Sequence, residues 1–86
     1  MADITLYTTP VCPYCMRAKD LLKRKGRADY REIDVSQDEM LREEMMKKAG
    51  GKRTVPQIFI GAYHVGGYDD LYALDKSGKL DLLLGN

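Results

Sequence analysis

Cys12 and Cys15 are the only cysteines among 86 residues, and they stand three positions apart. A bridge between them would close so short a loop that it would restrict the unfolded chain very little. Small domains that depend on disulfides usually carry four or more cysteines. The chain must therefore be held by an ordinary hydrophobic core, and its length allows one domain, spanning residues 1–86. Hydrophobic residues make up 44% and charged residues 31%, which suits a folded domain and argues against disorder. The pair is a poor staple, so its presence needs a chemical reason.

The surroundings of the pair supply one. Ile4 to Tyr7 is a short β-branched and apolar run, read as a strand, and Thr8 to Val11 form a turn. From Pro13 to about Lys25 the spacing is helical, with Cys15, Ala18, Leu21 and Leu22 on one face and Gly26 as the stop. Pro13 falls at the first helical position, where a missing N–H costs nothing. Cys12 then takes the N-cap, facing backbone N–H groups with no partner inside the helix. Those donors and the positive helix end favour a thiolate, the nucleophilic form of cysteine. Cys15 sits one turn further in, on the same face and less exposed. The result is an asymmetric pair of attacking and resolving thiols. A C-x-x-C motif at a strand-to-helix junction is a strong redox signal. Residues 1–27 carry six basic and two acidic side chains, and Arg17 and Lys19 are placed to add to the positive field near the pair.

A zinc site would need four ligands, and His64 is the only histidine, so no metal is expected. The net charge of +1 gives no reason to expect nucleic acid as a partner. There is no apolar run of the ~20 residues a transmembrane helix needs, and no signal-peptide pattern at the N-terminus.

Further along, Tyr30 to Val35 reads as a second strand. Ser36-Gln37-Asp38-Glu39 reads as a capping box opening a second helix to about Ala49, braced by Glu43–Lys47 and Glu44–Lys48 pairs. Gln57 to Ile60 and Tyr63 to Val65 read as two strands joined by a tight turn, and a third helix runs from about Asp69 to Lys76. The order is β-α-β-α-β-β-α. The first two strands should be parallel and the last two antiparallel, in a four-stranded mixed sheet flanked by three helices.

Three segments together resemble one family. Cys12-Pro13-Tyr14-Cys15 after the first strand, then Thr54-Val55-Pro56, then Gly66-Gly67-Tyr68-Asp69-Asp70-Leu71 are similar to the small dithiol glutaredoxins of bacteria, in the same order and over essentially the whole chain. The resemblance implies an α/β, thioredoxin-like fold and a glutathione-dependent thiol–disulfide oxidoreductase that reduces glutathione mixed disulfides and protein disulfides. It assigns Cys12 as nucleophile and Cys15 as resolving thiol, and places a cis peptide before Pro56. It implies a glutathione site in which Val55 pairs with the cysteinyl backbone. Gly67, Tyr68 and Asp69 there hold the γ-glutamyl end, with Asp69 or else Asp70 accepting from its amine, Arg53 beside Thr54 takes the glycyl carboxylate, and Tyr14 flanks the sulfur. Glutathione is then a co-substrate, with no permanent cofactor, and a monomeric cytoplasmic protein is expected. Tyr63 and Tyr72 are read as packing residues. Two departures stand out. Thr8-Thr9-Pro10-Val11 lacks the lysine that many relatives carry before the first cysteine, and Tyr68 stands where several have a further cysteine. Two other readings compete: a thioredoxin-like electron donor recycled by a flavin reductase, and a dimer binding a [2Fe–2S] cluster through two Cys12 thiolates and two glutathiones.

Overall fold

The computed structural model describes residues 2–85. Its elements run β1 (Ile4–Thr8), α1 (Pro13–Arg24), β2 (Arg31–Asp34), α2 (Glu39–Lys48), β3 (Gln57–Ile60), β4 (Tyr63–Gly66), α3 (Tyr68–Lys76) and α4 (Lys79–Leu84). The strands form one sheet in the order β2-β1-β3-β4. As expected from the connections, β1 and β2 are parallel, while β3 pairs antiparallel with β1 and with β4.

Alternation along the two central strands builds two cores. Ile4, Leu6, Ile58 and Ile60 face α1, α3 and α4, where they meet Ala18, Leu21, Leu22, Leu71, Leu80 and Leu84. Tyr7 and Phe59 face the other way, onto Met45 and Ala49 of the α2 side. All four residues of β3 are buried, as a strand covered on both faces requires, whereas β2 lies at the sheet edge and is mostly exposed.

The structure corrects three local expectations. The capping box on Ser36 does not form. Asp38 is the N-cap of α2, its Oδ1 accepting from Met40 N at 2.9 Å and Leu41 N at 3.2 Å, and Ser36 sits in the preceding turn. Aspartate and serine cap about equally well, so the packing of α2 sets where the helix starts. Among the described residues the Glu43–Lys47 and Glu44–Lys48 pairs close no salt bridge; Glu44 accepts from the Tyr7 hydroxyl at 2.9 Å, and Lys48 donates to it at 3.3 Å. A fourth helix follows the expected three. Gly78 turns the chain at φ +80°, a left-handed conformation that glycine adopts without strain, and α4 then buries Leu80 and Leu84 on one face.

Arg27 fastens this C-terminal segment. Its guanidinium is buried and donates to the carbonyls of Leu84 at 2.7 Å and Ala2 at 2.6 Å, with Asp29 as its counter-ion at 2.9 Å. Among the described residues, no helix is long and apolar enough to cross a membrane.

Candidate active site

Three separate segments meet at one end of the sheet. The first is the start of α1. Cys12 is its N-cap, extended at φ −151° and ψ 102°, and Pro13 opens the helix. The Cys12 sulfur accepts from the Cys15 N–H at 3.1 Å. No acidic side chain occupies the first turn, so nothing there opposes a negative charge on that sulfur. Both cysteines are free thiols, with Cys12 at 8% exposure and Cys15 at 1%. Burial pushes the Cys15 thiol up to about 12, and its hydrogen bond with Cys12 acts in the same direction. The two sulfurs therefore differ in their surroundings: Cys12 is the less deeply buried and accepts from a backbone N–H, while Cys15 is shielded and its thiol is pushed up.

The second segment is the loop before β3. The Val55–Pro56 peptide is cis, as the motif implied, and the Val55 carbonyl oxygen lies 4.0 Å from the Cys12 sulfur. The third is the start of α3. Gly67 is its N-cap, and Asp70 reaches back to accept from the Gly67 N–H at 3.0 Å. Gly66, at φ +113°, turns into this helix at a point where a Cβ would collide with the Asp70 carboxylate. The remaining first-turn N–H groups have no partner within the helix.

A cleft of about 200 Å³ runs between the second and third segments. Tyr14, Thr54, Val55, Pro56, Gly67, Tyr68 and Asp69 line it, so seven of the residues singled out from the sequence are brought together. The rings of Tyr14 and Tyr68 lie 6.3 Å apart across it. Arg53 is exposed and does not line the cleft; Lys52, which sequence reasoning passed over, does. Asp70, the alternative to Asp69, borders it too, and so does Gln57, which sequence reasoning passed over. Lys19 is tied to Glu32 at 3.0 Å, which reduces its share in the field around Cys12, while Arg17 lies over the Tyr14 ring at 5.3 Å. Tyr63 and Tyr72 are about half exposed, although Tyr72 stands 6.1 Å from Tyr68.

The glutaredoxin family model matches residues 4–65. The chain belongs to the glutaredoxin family. It is 56% identical to the glutaredoxin of Pseudomonas aeruginosa, over 98% of both chains. It is 54% identical to glutaredoxin 3 of Escherichia coli strain K12, over 98% of this chain and 99% of that one. Among solved structures it is similar to a buckwheat glutaredoxin–glutathione complex, with a TM-score of 0.86 and 31% identity, over 98% of this chain and 77% of that chain. The four-stranded sheet with its helices is the thioredoxin-like fold, and this glutaredoxin is a thiol–disulfide oxidoreductase.

Proposed function

We propose that this glutaredoxin uses glutathione as its reductant and binds it in the cleft beside Cys12. The observation that carries the reading is the position of the Cys12 sulfur: it is held by the Cys15 amide at 3.1 Å and stands 4.0 Å from Val55, whose segment walls the cleft.

Glutathione is an extended tripeptide with two carboxylates and one amine. Val55 supplies backbone groups for its cysteinyl residue, the way a strand edge pairs with a peptide. The first turn of α3 supplies the N–H groups of Tyr68 and Asp69 for the γ-glutamyl carboxylate, the Gly67 N–H being held by Asp70, and the Asp69 carboxylate accepts from the amine. Lys52 takes the glycyl carboxylate, with Arg53 contributing at longer range. Tyr14 covers the sulfur on its open side.

The chemistry is two exchanges. The Cys12 thiolate attacks the glutathionyl sulfur of a mixed disulfide; the new Cys12–glutathione bond forms, and the substrate leaves as its thiolate and takes up a proton. A second glutathione thiolate attacks the glutathionyl sulfur of that bond, giving oxidised glutathione and the Cys12 thiolate. With a protein disulfide, Cys12 forms the mixed disulfide, and Cys15 loses its proton and displaces the substrate thiolate. Two glutathiones then reduce the Cys12–Cys15 bond. The protein works as a monomer in the cytoplasm on glutathionylated and disulfide-bonded proteins.

The test is reduction of 2-hydroxyethyl disulfide coupled to NADPH, through glutathione and glutathione reductase in one arm and thioredoxin reductase in the other. Turnover through glutathione is expected. Turnover through thioredoxin reductase alone would overturn the reading.

A further inference from the structure

Gln57 opens β3 at 1% exposure, and its amide is fully engaged. Its Nε2 donates to the Thr54 carbonyl at 2.9 Å and to the Thr54 Oγ1 at 3.2 Å. A backbone carbonyl can only accept, so the NH₂ end must face Thr54, and Oε1 must face the other way. There it lies 2.7 Å from the Nε2 of His64. Oε1 also can only accept, so His64 carries its proton on Nε2 and donates it to Gln57. The His64 ring is held flat on Phe59, with centroids 4.8 Å apart and planes at 23°. The bonds run one way, from His64 to Gln57 to Thr54. Because the Thr54 hydroxyl accepts from Gln57, its own hydrogen remains available to donate, and Thr54 lines the cleft.

We propose that Gln57 and His64 are positioning residues for glutathionyl exchange, with His64 orienting the Gln57 amide and that amide holding the Thr54–Val55 segment as the wall of the cleft against Cys12. This rests on the reading that the cleft takes glutathione. Neither residue holds the reacting sulfur; their effect reaches it through Thr54 and Val55. Without the His64 donor, the Gln57 carbonyl becomes a buried acceptor with no partner. The amide then turns to find another donor and lets go of Thr54. A ligand that needs that wall loses contacts, and a reagent that needs only the sulfur does not.

The experiment compares His64→Phe and Gln57→Leu with the unaltered protein, measuring the rate at which Cys12 reacts with three reagents. Oxidised glutathione carries all the groups the cleft recognises, 2-hydroxyethyl disulfide has the same bond without them, and iodoacetamide needs only the thiolate. The unaltered protein should prefer oxidised glutathione over the small disulfide; a protein without that preference would overturn the glutathione reading itself. Given the preference, both variants should lose it by about tenfold while iodoacetamide alkylation stays unchanged. Variants that keep the preference would overturn the positioning role. Equal slowing with all three reagents would also overturn it, since that is the mark of general disruption. His64→Phe keeps the ring on Phe59 at a half-buried position, and it decides the matter if Gln57→Leu does not fold.

Discussion

The backbone N–H of Cys15 points at the sulfur of Cys12 across 3.1 Å, while the Cys15 side chain is itself buried. In the proposed exchange one residue serves both halves of the chemistry. Its amide, fixed by the first turn of α1, donates to the sulfur proposed to attack, and its own thiol, pushed up by burial, is the one proposed to resolve the mixed disulfide.

The pH dependence of the second half follows. The Cys15 thiol is pushed up to about 12, first by burial and then by its hydrogen bond to Cys12. Burial persists when Cys12 is in a mixed disulfide. Below its pKa a thiol gains about tenfold in thiolate per pH unit. Reduction of a protein disulfide, followed in single turnover, should therefore accelerate steadily from neutral to alkaline pH. A resolving step that is flat across that range would contradict the buried state of Cys15.

The same thiol affects stability. Its folded pKa lies above its ordinary value of 9.0, so the protonated form is favoured by folding. The stabilisation is complete below pH 9 and is lost as the pH rises towards 12. Tyr7, raised above 10.0 by burial and by its hydrogen bond to Glu44, acts with the same sign. Denaturant midpoints of the reduced protein should fall above pH 9, and Cys15→Ser should show a smaller fall. Identical alkaline profiles would count against the assignment.

Lys52 and Arg53 are adjacent, yet only Lys52 lines the cleft. Lys52→Ala should raise the KM for glutathione by about two- to fivefold at low salt, as expected for an exposed ion contact. Arg53→Ala should change it less, with kcat similar in both. The reverse order would place the glycyl carboxylate at Arg53.

Arg27 lies at the far end of α1 and holds Ala2 and Leu84 together. Arg27→Met leaves those carbonyls without their donor and should cost about 2–4 kcal/mol in denaturant unfolding. The rate of Cys12 alkylation in the folded variant should stay the same. A loss of reactivity would mean that the termini are coupled to the site.

Much of the site was legible because its chemistry is local. Proline at the first helical position and cysteine at the cap define the start of α1 within four residues, and the cis Val55–Pro56 peptide followed from its motif. What escaped depends on direction or on distant partners. Sequence does not say which of two neighbouring cations turns inward, so it points to Arg53 and passes over Lys52. Asp38 and Ser36 both offer a cap, and only the packing of α2 decides between them. The six residues of α4 are too short a run, with three successive leucines, to reveal a helical period. The link from His64 to Gln57 needs the register of β3 against β4, which shifts between Ile58 and Phe59. No spacing rule supplies that register.

The most direct test of the central claim is turnover of a glutathionylated peptide by Cys12→Ser and Cys15→Ser, with glutathione, glutathione reductase and NADPH present. Cys12→Ser should be inactive, because no thiolate remains at the cap of α1, and Cys15→Ser should retain activity. Normal turnover by Cys12→Ser would show that the reacting sulfur lies elsewhere.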